Sequence, residues 1–121
     1  MKKVLMSLLI VISILFITGC SDLDVDTNDN DKFTHEVTKS YVGDYDMGYY
    51  IEGTIKNETD KDFSYVQIEF ICYDKDGNNL GTAIDNTNNL LGNQTWKFKA
   101  MGLFDNVKSV DHCDFHEITS W

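Results

Sequence analysis

From Phe33 onward the chain predicts an all-β fold, an antiparallel β-sandwich. Two observations carry this. Apolar side chains recur at every second residue over several short runs, and clusters of Gly, Asn and Asp separate those runs. No stretch of the region shows a convincing apolar stripe at helical spacing.

Two segments of different character come first. Lys2 and Lys3 precede an apolar run, Val4 to Ile17, broken only by Ser7 and Ser13. That run has the length of a signal-peptide core and falls short of the ~20 residues a bilayer span needs. It ends in Ile17-Thr18-Gly19-Cys20. A basic start, an apolar core and a small residue before cysteine make a bacterial lipoprotein signal. The four residues resemble the lipobox of prolipoproteins at every position. The resemblance implies a diacylglyceryl group on the Cys20 sulfur, cleavage after Gly19 and an acylated mature N-terminus. One acyl chain holds a membrane only marginally, whereas two, at about 0.8 kcal/mol per buried methylene, hold it stably. The alternative is an ordinary secretory signal that happens to contain a cysteine.

Residues 1–19 form the signal segment, and 20–32 the lipidated cysteine with an acidic tether. Ser21 to Asp31 reads SDLDVDTNDND, polar and without aromatics. Extended, it reaches roughly 35–40 Å at ~3.3–3.6 Å per residue. The alternating Asp22, Asp24 and Asp26 suggest a calcium loop, but the turn glycine and closing glutamate of an EF-hand are missing.

The sandwich domain occupies 33–121. In its first strand Phe33, Val37 and Tyr41 share a face against Thr34, Glu36, Thr38 and Ser40. In the second, Tyr49, Ile51, Gly53 and Ile55 alternate with Tyr50, Glu52, Thr54 and Lys56. In the third, over 64–74, Val66, Ile68, Phe70 and Cys72 alternate with Gln67, Glu69, Ile71 and Tyr73. A weaker strand covers Leu80 to Asp85. Trp96, Phe98 and Ala100 mark the next, and Val107 to Ile118 the last. Residues 101–106 leave room for a turn of helix. Asp76-Gly77 between alternating runs is a hairpin signal, with Gly77 supplying positive φ. Gly53 inside a strand suggests a bulge or a close contact.

Phe70-Ile71-Cys72-Tyr73-Asp74 resembles the signature of FxLYD domains, with cysteine in the leucine place. Gly53-Thr54-Ile55-Lys56-Asn57, Asp74-Lys75-Asp76-Gly77 and Leu91-Gly92 followed by Trp96-Lys97-Phe98 are similar to its flanking motifs, without the usual proline in the last. The resemblance implies an immunoglobulin-like sandwich, extracytoplasmic and often lipid-anchored, with no general enzymatic activity and no established ligand.

Composition limits the function further. Without residues 1–19, 102 residues remain, enough for one domain. They carry twenty acidic residues against eight lysines, a formal charge of −12. That argues against nucleic acid and against lying flat on anionic lipid. Absent arginine and proline and frequent asparagine point to an AT-rich bacterial genome, a Gram-positive source. The Asn-x-Thr triplets at Asn57 and Asn93 read as turn sequence rather than glycosylation sites.

Cys72 and Cys113 form an even pair in an exported domain. Bridged, they close a loop worth about 4 kcal/mol of chain entropy; reduced, each serves as a small core residue. His112 and His116 would share a helix face, but on a strand they lie ~13 Å apart, too far for one ion. His35 reads as a partly exposed strand residue. No metal site, cofactor or catalytic residue is expected: there is no nucleophile elbow and no phosphate loop. If the second and third strands pair, Tyr50, Tyr65, Ile71 and Tyr73 form an exposed interaction patch. The expected function is a non-enzymatic lipoprotein on the outer face of the cell membrane, held through Cys20, serving an envelope protein partner. A solute- or metal-binding lipoprotein and a phage-exclusion or toxin-protection lipoprotein are the alternatives.

Overall fold

The structure, a computed structural model, describes residues 29–121. The lipobox, Cys20 and the acidic stretch through residue 28 lie outside the described residues. A 3-10 turn, Asp29–Lys32, leads into six strands: β1 (Phe33–Val42), β2 (Tyr49–Asn57), β3 (Phe63–Tyr73), β4 (Asn79–Leu90), β5 (Thr95–Gly102) and β6 (His112–Ser120). All pairings are antiparallel, in the order β1-β2-β5-β4-β3-β6. The domain is all-β, one curled sheet with a sandwich-like core.

The curl follows from one weak seam. β5 and β4 share a single register pair, Ile84 with Met101, whereas the other neighbours pair along most of their length. The sheet therefore folds over there into two layers, β1-β2-β5 and β4-β3-β6. Alternation supplies their facing sides. Ile51, Ile55, Phe98 and Ala100 meet Val66, Ile68, Phe70, Cys72, Ala83 and Ile118, all buried. Phe70 and Phe98 touch across the layers at 5.8 Å between ring centroids. The two edge strands also approach each other: His35 on β1 stacks on Phe115 of β6 at 4.2 Å.

Register shifts on β1 and β6 reset the alternation there. Between Val37 and Lys39 the β1 register slips by one residue. Tyr41, expected on the Phe33 face, therefore turns outward and stacks on Tyr50. On β6 the register shifts opposite Glu69 and Phe70, so Cys113 and Phe115 face inward and, past His116, Ile118 does too. Gly53 lies beside the first bulge. A Cβ there would sit 2.0 Å from the Glu36 carbonyl oxygen and 2.8 Å from Phe98, so the close contact expected at this glycine is present.

Three strand limits differ from the sequence reading. β4 continues five residues past Asp85, because β3 offers partners down to Phe63, opposite Leu90. β6 begins at His112, since Val107–Ser109 forms a 3-10 turn that buries Val107. The helical turn thus falls after 101–106, which instead finish β5 and begin the loop. Residues 29–32 pack on β6, ahead of the first strand.

Candidate functional site

β1 begins and β3 begins at one end of the sandwich, together with the 58–62 and 91–94 loops and Trp121. The 43–48, 74–78 and 103–111 loops gather at the other end. The first end is tied together by Asn57. Its side-chain nitrogen donates to the carbonyls of Lys61 at 2.8 Å and Leu91 at 3.0 Å, and its oxygen accepts from the Thr59 amide and hydroxyl. The Asn57-x-Thr59 triplet is therefore a turn with a fully buried asparagine.

The expected aromatic patch is not one patch. Tyr50, Tyr65, Ile71 and Tyr73 all sit on the outer side of their strands, half-buried. But β2 pairs with β1 and β5, and β3 with β4 and β6. The 58–62 segment crosses between layers instead of closing a hairpin, which puts Tyr50 on one outer face and the other three on the opposite one. Each tyrosine already has a neighbour. Tyr50 stacks on Tyr41 at 5.6 Å with the Lys99 ammonium 4.8 Å over its ring. Tyr65 stacks on Trp121 at 4.6 Å and Tyr73 on His112 at 5.3 Å. Tyr65 and Tyr73 lie ~26 Å apart along β3 at ~3.3 Å per residue.

The titratable groups are structural in their geometry. Tyr41 donates a short hydrogen bond to the Glu52 carboxylate, which pushes the phenol up to about 12. The same bond holds Glu52 below its usual value, with help from Lys39. Asp74 accepts from the Asn78 side chain at 3.0 Å and from the Asn78 and Asp76 amides at 2.9 Å each. These bonds lower its pKa and close the β3–β4 hairpin, where Gly77 has φ +86°. Because the folded-state values of Glu52 and Asp74 are depressed, their stabilisation is present at neutral pH. It is lost as pH falls through those values. Burial against Phe115 lowers the His35 pKa.

Cys72 and Cys113 stand directly opposite each other on β3 and β6 and are joined by a disulfide. His112 lies against Asp111 at 2.8 Å and Asp114 at 3.8 Å. Among the described residues no group of three or more His, Cys, Asp or Glu side chains could hold a metal ion. Two surface depressions, of about 450 and 480 Å³, lie beside Asp74 and Lys108 and beside His35 and Lys56.

Large apolar side chains are exposed at both ends. Tyr45 is 92 % exposed, Leu103 73 % and Met47 65 %, all in the loops far from Phe33 and with Met101 close by, whereas Trp121 and Leu91 are exposed at the Phe33 end. Sequence reasoning passed over them because they fall in turns. The signal was there: Tyr45 and Met47 are large apolar residues inside a Gly43–Gly48 turn, outside any alternation.

No family model and no curated protein matches the chain. Among solved structures, it is similar to the crystal structure of a DUF1425 family member from Shewanella sp. pv-4, with a TM-score of 0.49 and 20 % identity, covering 74 % of this chain and 76 % of that one.

Proposed function

We propose that this chain is a lipid-anchored, extracytoplasmic lipoprotein whose FxLYD-like domain serves as a protein-interaction module of the cell envelope. The anchor reading rests on the lipobox ending at Cys20. The observation that carries the interaction reading is the set of large apolar side chains held in water by ordered loops, Tyr45, Met47 and Leu103. Loops on a rigid sandwich are a common place for binding residues. The FxLYD-like run fits a scaffold role: Phe70 and Cys72 enter the core, and Asp74 closes the hairpin.

The anchor is tested by Cys20→Ser. The native chain is expected in the membrane fraction and the variant in the soluble or secreted fraction. Retention in the membrane of a variant that has lost residues 1–19 would refute lipid anchoring.

A further inference from the structure

We propose that the end of the sandwich opposite Phe33 is a docking surface for an extracytoplasmic protein that presents an apolar centre ringed by lysine or arginine. The proposal rests on the interaction reading above and names its surface and partner chemistry.

Position is the first argument. β1 runs ten residues from Phe33 to Val42, which carries the 43–48 loop ~33 Å from the point where the chain enters the domain. A domain tethered through its N-terminal side would hold this end away from the membrane. Exposure is the second. Tyr45 and Met47 are exposed in the 43–48 loop, Met101 lies beside that loop, its Cγ 3.5 Å from where a Gly48 Cβ would sit, and exposed Leu103 follows two residues later. Phe104 turns the other way and packs on the core, which leaves Leu103 facing out.

Third, the loop is held in a costly shape. Tyr45 and Asp46 are consecutive non-glycine residues at φ +59° and +54°. The left-handed region is unfavourable for an L-residue that carries a Cβ. The Tyr45 ring recovers none of this within the domain, because it makes no stack or side-chain hydrogen bond with another described residue. The backbone is fixed by the Gly43 amide on the Gly48 carbonyl at 2.8 Å, the Met47 amide on Asp44 at 3.2 Å, and a 3.2 Å ion pair from Lys108 to Asp46. An aromatic presented this way loses little freedom on binding.

Charge selects the partner. Asp44, Asp46 and Asp105 flank the apolar residues, and Asp74 and Asp76 stand on the adjoining hairpin. Lys75, Lys99 and Lys108 oppose them; Lys108 is engaged by Asp46, and Lys99 lies over the Tyr50 ring. An acidic rim repels anionic lipid. It also repels itself, so a two-fold dimer through this end would face aspartates with aspartates. A basic rim on a protein partner complements it.

The test places a photo-crosslinking amino acid at position 45, 103 or 121 of the full lipidated chain in its native membrane, and the adducts are sequenced. Positions 45 and 103 are expected to label one protein, on peptides that combine apolar residues with Lys or Arg, and position 121 to label it at least tenfold less. Asp44→Lys with Asp105→Lys should reduce the yield from position 103 at least tenfold. Tyr45→Gly should do the same while leaving the melting temperature unchanged or higher, because glycine relieves the left-handed backbone. Adducts with lipid, with a second copy of this chain, or with peptides lacking basic residues overturn the proposal. So does a yield indifferent to the charge reversal. Adducts from position 121 alone overturn this surface and leave the interaction reading standing; none from any position overturns both.

Discussion

Asn57 shows how much one buried polar residue can hold. It is fully buried, yet its side chain satisfies carbonyls from two loops and caps a third group, the Thr59 amide, while its own amide donates to Gln94 at 3.0 Å. A buried carbonyl left without a donor costs about 1–3 kcal/mol. Asn57→Ala removes the side chain that ties these loops together, while the Leu91 carbonyl keeps the Gln94 amide at 3.0 Å and the Lys61 carbonyl keeps the Thr59 hydroxyl at 3.5 Å, so the loss should be about 1–3 kcal/mol. Asn57→Asp should be no better, since it sets a carboxylate against two carbonyls. Chemical denaturation of both variants checks this, and a loss under 1 kcal/mol would show that water replaces the side chain. The sequence marks Asn57 as turn chemistry, and the turn is there. Its burial was hidden because the carbonyls it serves lie 4 and 34 residues along the chain. By contrast, Asp74 and Gly77 were readable, because their partners lie within the hairpin itself.

At the level of elements, period-two alternation locates strands well and neighbours poorly. It puts Tyr50, Tyr65, Ile71 and Tyr73 on outer faces correctly, but pairing is decided by distant segments, and a single layer crossing separates Tyr50 from the rest. The C-terminal half of β4, Asn86 to Leu90, is polar and asparagine-rich, a poor intrinsic strand. It is extended because β3 supplies its ladder. Bulges are equally silent in the pattern, yet the one on β1 turns Tyr41 outward. Gly53 faces that bulge, and its contact is with a backbone carbonyl, which cannot rotate away as a side chain could. Gly53→Ala must therefore push β1 off β2 or displace Phe98. Overpacking of this kind costs about 1–3 kcal/mol. The expected signature is a drop of that size with faster amide exchange across β1. Stability within 0.5 kcal/mol of the native protein would mean that β1 adjusts freely.

Over the whole molecule, charge is unevenly arranged. Lys39, Lys56, Lys97 and Lys99 share the outer face of β1-β2-β5, whereas Glu69, Asp114 and Glu117 lie on the outer face of β4-β3-β6. The net charge that the sequence supplies could not reveal this division, because faces belong to strand register and strand order. The lysine face has its own partners: Lys39 is 4.0 Å from Glu52 and Lys56 3.7 Å from Glu58. Both pairs reach solvent and contribute little to stability. The surplus of acid is large, since residues 20–121 carry twenty acidic residues against eight lysines. Folding gathers that charge into a small volume, and self-repulsion weakens the compact state. Salt shortens its range, from a Debye length of about 10 Å at 0.1 M to about 3 Å at 1 M. Raising sodium chloride should therefore stabilise the domain, even though it weakens the surface ion pairs. A gain of about 1 kcal/mol corresponds to roughly 4–8 °C in melting temperature for a domain of this size. Thermal melts of the Cys20→Ser chain from 20 mM to 0.5 M sodium chloride measure the balance. A rising curve places repulsion above pairing, whereas a flat or falling one would show that the exposed pairs and the Lys108–Asp46 clip dominate.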